Sequence, residues 1–119
     1  TPQFLRGRVD PDFSVTLFGK SYQAPFGVSP IGLSSLIWPG AELVLAKAAK
    51  AHGFPYALST VAGESIERVS AVGGDMAWFQ LYAPFDRTLC SDLLRRAAAC
   101  GCETLILTAD VPANSSFSL

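Results

Sequence analysis

An α/β fold built on a parallel, helix-covered sheet is what this sequence predicts. Short apolar runs alternate with longer helix-forming stretches, and the runs are apolar on both faces, as strands buried between helices are. Their starts fall near residues 26, 56, 76 and 104, a unit of about 20 to 30 residues, the size of a βα repeat. Half of the 119 residues are hydrophobic and 16% are charged, which is a core-forming composition. The length fits one domain or part of one.

The elements follow in order. Residues 1–12 hold Pro2 and Pro11 with no clean period and read as an irregular lead-in. Residues 13–22 place Val15, Leu17 and Phe18 before Gly19-Lys20 and Tyr22 after it, which predicts two short strands around a glycine turn. Gln23-Ala24-Pro25 stops the hairpin. Residues 26–32 form a short apolar run between turn residues, read as a buried strand, and 33–39 as the loop after it. Residues 40–53 read as a helix, apolar through its alanines and leucines, with Glu42, Lys47 and Lys50 on one flank and Gly53 as C-terminal cap. The unit then repeats: a strand over 56–60, a short helix from 64 to 72 before Gly73-Gly74, and a strand over 76–82. A helix over 87–100 follows, with Leu89, Leu93 and Ala97 on one stripe and Gly101 as its cap, then a fourth strand over 104–108.

Several function classes fall away. Nine basic against ten acidic residues leave a net charge of −1, so no basic field exists for nucleic acid or an anionic membrane. The apolar runs are far shorter than the roughly 18 residues a membrane span needs. Arg6 and Arg8 precede no stretch of signal-peptide length. Three cysteines cannot form a complete disulfide framework, and a reducing cytoplasm is the expected compartment. Gly27 and Gly32 have P-loop spacing, but Leu33 stands where a lysine is required. His52, the single histidine, lies at a helix end far from acids or thiols, so neither a metal site nor a Ser–His–Asp set can be assembled. Cys100-Gly-Cys102 is neither a zinc knuckle nor a redox C-x-x-C, and buried structural thiols are expected there.

Polar residues collect where each strand ends. Ser29 lies on the first strand, Ser59-Thr60 end the second, Gln80 and Tyr82 the third, Thr108 and Asp110 the fourth. Parallel α/β folds bind ligands at that edge, so the set predicts a ligand site. The architecture is open at this point between a doubly wound sheet and a (βα)8 barrel. A full barrel takes about 250 residues, so this chain would hold roughly half of one.

Several segments together resemble the FMN-dependent α-hydroxy acid dehydrogenase and oxidase family, which includes glycolate oxidase, lactate oxidase and mandelate dehydrogenase. Pro25-Phe-Gly-Val-Ser-Pro-Ile-Gly-Leu33 resembles its first-strand motif. Leu58-Ser-Thr-Val61 with Ser65-Ile-Glu-Arg-Val69 resembles the second. Trp78-Phe-Gln-Leu-Tyr82 with Asp86-Arg87 resembles the third, and Leu107-Thr-Ala-Asp-Val-Pro112 the fourth. The match runs in order from the start of the chain to about Pro112.

The resemblance implies the first half of a (βα)8 TIM barrel preceded by a short β-hairpin. Residues 1–25 would be the lead-in and hairpin, 26–112 the first four βα units, and 113–119 a tail or loop. It implies FMN as cofactor, with the backbone at Pro30, Ile31 and Gly32 against the flavin and Ser59, Gln80 and Thr108 on its polar edge. Tyr82 would bind the substrate and stabilise developing charge. Asp110 would pair with the catalytic histidine and raise its basicity. Val61 stands where some members carry a large aromatic, which points to a roomier pocket and a substrate bulkier than glycolate. The implied reaction is oxidation of an L-2-hydroxy acid to the 2-keto acid, with a hydride equivalent passed to the flavin. The base histidine, a flavin-contacting lysine and the substrate arginines have no match in this chain, and Phe117 falls about where one arginine is expected. The 119 residues alone are therefore expected to be inactive. The expected partners are a small 2-hydroxy acid, the rest of the barrel, and further copies in a homo-oligomer. Two other readings are a non-catalytic half-barrel that pairs with another chain, and a different flavin- or phosphate-binding barrel.

Overall fold

The structure, a computed structural model, describes residue 7 and residues 10–109. The predicted lead-in mostly lies outside the described residues, as do Asp110 and the tail 113–119.

The hairpin forms as predicted. Strands β1 (Val15–Leu17) and β2 (Lys20–Tyr22) pair antiparallel, with Leu17 opposite Lys20. Phe18 and Gly19 make the two-residue turn, with φ of 52° and 80°. Two positive φ values are what a tight hairpin turn matched to strand twist requires. The hairpin folds against the starting end of the main sheet. Trp78 Nε1 donates to Tyr22 Oη at 3.1 Å, and Lys20 pairs with Asp75 at 2.8 Å.

The main sheet is parallel and follows chain order. It contains β3 (Tyr56–Ser59), β4 (Ala77–Tyr82) and β5 (Leu105–Thr108). Tyr56 lies opposite Ala77, and Phe79 opposite Leu105. The helices α2 (Ala41–His52), α3 (Ile66–Gly73) and α4 (Arg87–Ala99) connect or precede these strands. Tyr56, Leu58, Phe79 and Leu81 turn to one face, where Ala46, Ala49, Ile66, Val69 and Ala97 cover them in one core. Small residues let the helices approach. A Cβ built on Gly73 would meet Ala46 Cβ at 3.4 Å. The opposite face presents Ala57, Ser59, Trp78, Gln80, Tyr82, Ile106 and Thr108, because side chains alternate along each strand. On β5 the alternation leaves Leu105 and Leu107 exposed, Leu107 at 59%, and no described helix follows to cover them.

Helix boundaries follow capping chemistry. Ser65 accepts from Arg68 N at 3.2 Å, so α3 begins at Ile66 instead of at Glu64. Asp86 accepts from Thr88 N at 2.8 Å and starts α4. Gly53 and Gly101, at φ 68° and 79°, close α2 and α4 as expected.

Three expectations need correction. The run 26–32 is not a strand. It joins the sheet through one parallel bridge, Val28 to Tyr56, closed by Val28 N to Pro55 O at 2.9 Å and Ala57 N to Val28 O at 3.0 Å. Pro25 and Pro30 cannot donate ladder bonds, and Phe26 and Ile31 stay exposed. The loop 33–39 contains a single helical turn, α1 (Ser34–Ile37). Glu42 does not share a solvated flank with Lys47 and Lys50; it is fully buried, at 0% exposure. Residues 42, 46 and 49 lie at i, i+4 and i+7, which puts Glu42 on the buried stripe with Ala46 and Ala49.

Candidate active site

The parallel register brings the strand ends to one edge, and their polar side chains bond across it. Ser59 is opposite Gln80, and Tyr82 opposite Thr108. Ser59 Oγ donates to Gln80 Oε1 at 3.1 Å, and Thr60 N donates to the same oxygen at 3.2 Å. Gln80 Nε2 donates to Thr108 Oγ1 at 2.7 Å. Glutamine is long enough to span both neighbours, so three adjacent strands share one hydrogen-bonded row. Ser59 and Gln80 are buried, Gln80 at 1% exposure. Buried polar groups normally need such partners.

Thr60 continues the sheet by other means. Its hydroxyl donates to Gln80 O at 2.5 Å and accepts from Tyr82 N at 3.0 Å. The side chain takes the place of a backbone partner where β3 ends. This fixes the backbone at Tyr82, whose side chain is 38% exposed and free of the row.

The segment after the Val28 bridge lies against the turn after β3. Leu33 N donates to Val61 O at 2.9 Å. A Cβ built on Gly32 would stand 2.8 Å from Val61 Cγ2, so a side chain at 32 would require Val61 to shift. Pro30, Ile31, Gly32 and Val61 therefore form one rim beside the Ser59–Gln80–Thr108 row. Of the sequence-predicted site residues, only Asp110 lies outside the described ones. His52 is exposed at the end of α2, its ring stacked 6.1 Å from Phe54. Cys90, Cys100 and Cys102 are free and half-buried, packed against the core; burial was expected at Cys100 and Cys102 and is partial there. Burial pushes the Cys102 thiol's pKa up, partly offset by its bond with Ser70.

Two contributors were missed. Thr60 was read only as a strand-end hydroxyl; nothing in sequence marks a backbone-mimicking bond. Glu42 accepts from Ser35 N at 3.3 Å, from Ser35 Oγ, and from Gly63 N at 3.0 Å. Burial alone would raise its pKa, but these hydrogen bonds outweigh it and hold the carboxyl at about 2. Its place on the Ala46–Ala49 stripe was the available signal.

The remaining capacity of the row suits a flavin edge. Gln80 Nε2 keeps a second N–H, and the Thr108 hydroxyl hydrogen is uncommitted once its oxygen has accepted. Two uncommitted donors in one row match a ring that carries acceptor atoms along one edge. The sequence profile described as FMN-dependent dehydrogenase matches residues 1–116. The chain belongs to that family. FMN is the cofactor on which the family depends.

Similar proteins agree. 4-Hydroxymandelate oxidase of Amycolatopsis orientalis is 40% identical over 111 residues, which is 93% of this chain and 31% of that protein. L-lactate dehydrogenase of Ectopseudomonas mendocina (strain ymp) is 41% identical over 108 residues, 91% of this chain and 28% of that protein. The crystal structure of mandelate oxidase with benzoyl-formic acid superposes with a TM-score of 0.84 at 39% identity. That superposition covers 95% of this chain and 33% of the mandelate oxidase chain. The chain thus spans about a third of the length of the relatives it matches.

Proposed function

We propose that this chain is the first half of a (βα)8 barrel, residues 26–112 being its first four βα units, in an FMN-dependent enzyme. The enzyme oxidises a small L-2-hydroxy acid to the 2-keto acid. The observation that carries the reading is the Ser59–Gln80–Thr108 row at the C-terminal ends of three consecutive parallel strands, the edge where such folds bind ligands.

Ser59, Gln80 and Thr108 would hold the polar edge of the flavin, and the backbone at Pro30, Ile31 and Gly32 would lie against its ring. When bound, the flavin supplies the two-electron acceptor that no side chain of this chain can provide. Tyr82, on a backbone fixed by Thr60, would direct its phenol at the substrate and stabilise charge developing on it. Asp110 would orient a catalytic histidine contributed elsewhere in the protein and stabilise its protonated form. Val61 is half-exposed on the rim, and its small side chain leaves room for a substrate larger than glycolate. Relatives named for 4-hydroxymandelate and L-lactate support a 2-hydroxy acid as substrate class.

The experiment is an absorbance scan of the full-length protein from about 300 to 550 nm, where oxidised flavins absorb, followed by anaerobic titration with 2-hydroxy acids. Flavin bands that bleach on addition of one enantiomer are expected. A flavin-free protein, or bands untouched by every 2-hydroxy acid tried, would overturn the reading.

A further inference from the structure

We propose that Glu42 is a positioning residue, whose buried carboxylate ties the loop after the first barrel segment to the loop after β3 and so sets the rim formed by Pro30, Gly32 and Val61. The inference rests on the reading of that rim as part of the flavin and substrate pocket.

The two loops belong to different βα units and share no strand pairing beyond the single Val28–Tyr56 bridge. Glu42 reaches both. One carboxylate oxygen accepts from Gly63 N at 3.0 Å and Ser35 N at 3.3 Å, while the other accepts from Ser35 Oγ. The loops interlock around it. A Cβ built on Gly63 would stand 2.9 Å from Ser35 Cβ, so only glycine permits this approach. The Leu33 N to Val61 O bond is the second tie, and the Gly32–Val61 contact the third.

Glu42 forms no ion pair among the described residues; its partners are the two backbone N–H groups and one hydroxyl. An anion buried on uncharged donors from two loops holds both loops at once, because releasing either leaves a buried charge under-solvated. Its field also reaches the core. Burial, and then the Glu42 charge, push the Tyr56 phenol to about 12.

The test uses the full-length protein with FMN as the probe. Glu42→Ala and Glu42→Gln are compared with Val69→Ala, a truncation of the buried core that removes none of the bonds between the two loops. Thermal unfolding, the dissociation constant for FMN by fluorescence quenching, and the bound-flavin absorbance bands are read for each. Glu42→Ala should raise the FMN dissociation constant about tenfold or more and shift the flavin bands, with Glu42→Gln between it and the parent. Val69→Ala should lower Tm comparably and leave both flavin readouts unchanged. Equal flavin effects from Glu42→Ala and Val69→Ala, or an unchanged dissociation constant in Glu42→Ala, would overturn the positioning role. If Glu42→Ala does not fold, Ser35→Ala removes one of the three bonds. Weakened flavin binding at near-parental Tm then supports the role, and unaltered binding overturns it. A parent protein that binds no FMN would overturn the functional reading and this inference together. A parent that binds FMN alongside insensitive variants would overturn this inference alone.

Discussion

Gln80 offers the sharpest test of the strand-end row, because one side chain serves three strands. Gln80→Leu keeps a similar volume and removes every bond that the amide makes. Ser59 Oγ, which is buried, and Thr60 N, which is half-buried, both lose their acceptor. An orphaned buried donor costs about 1–3 kcal/mol. Taking the middle of that range for Ser59 and the low end for Thr60, the loss is about 3 kcal/mol. Thr108 adds little, since its half-buried hydroxyl can turn to water. In a full-length barrel of roughly 350 residues this lowers Tm by about 4 °C. Gln80→Glu separates stability from binding. Its carboxylate still accepts from Ser59 and Thr60, and accepts from Thr108 once that hydroxyl turns, but it has no N–H for a ligand. Thermal unfolding of the flavin-free protein and FMN fluorescence quenching read the two effects. Gln80→Leu should lose both stability and flavin affinity. Gln80→Glu should lose less than half as much stability, yet bind FMN about tenfold more weakly or worse. A Gln80→Leu loss below about 1 kcal/mol would refute the row as a cohesive network. Undiminished flavin affinity in Gln80→Glu would refute its donor role.

Other expectations concern the rim, the substrate and pH. Gly32→Ala should cost about 1 kcal/mol, the low end for overpacking because the half-exposed Val61 can turn aside; Gly32→Ala/Val61→Ala should recover it, and equal losses in both by denaturant unfolding would show that the contact is not the cause. Tyr82→Phe should lower kcat far more than flavin content; lost flavin with unchanged kcat would exclude the substrate role. Glu42 and Glu67 are both held at about 2, below the ordinary 4.5. For Glu67 the largest cause is the bond from Arg96, at 2.7 and 2.9 Å. Groups with depressed folded pKa values contribute stability that is present above about 4.5 and lost as pH falls towards 2. Arg96→Met should flatten the loss of urea stability across that window, and an unaltered slope would show that the Glu67–Arg96 pair does not contribute.

Element types and order were legible because local signals agreed with the fold. The alanine-rich period of α2, the both-face apolar runs at 56–59 and 77–82, and glycines at 53 and 101 each specify their element without distant partners. The polar strand-end set was legible too, since a parallel sheet delivers consecutive strand ends to one edge whatever the register. Ser59, Gln80 and Thr108 needed only that rule to be grouped. The first strand was over-read: apolar content predicted a full strand, while the missing N–H groups of Pro25 and Pro30 limit it to one bridge.

Sequence alone was enough for the alternation of strand and helix, the grouping of polar residues at one edge of the sheet, and the family resemblance carried by four ordered motifs. It could not supply the contacts made between units. That Gln80 reaches both Ser59 and Thr108, that the Thr60 hydroxyl extends β4's pairing, and that the hairpin packs on Trp78 all depend on register and packing between residues 20 to 56 positions apart. Glu42 shows the difference most plainly. A glutamate near a helix start is ordinarily solvated. Here the fold removes it from water and supplies Ser35 and Gly63 as hydrogen-bond donors, a compensation that exists only once both loops are in place.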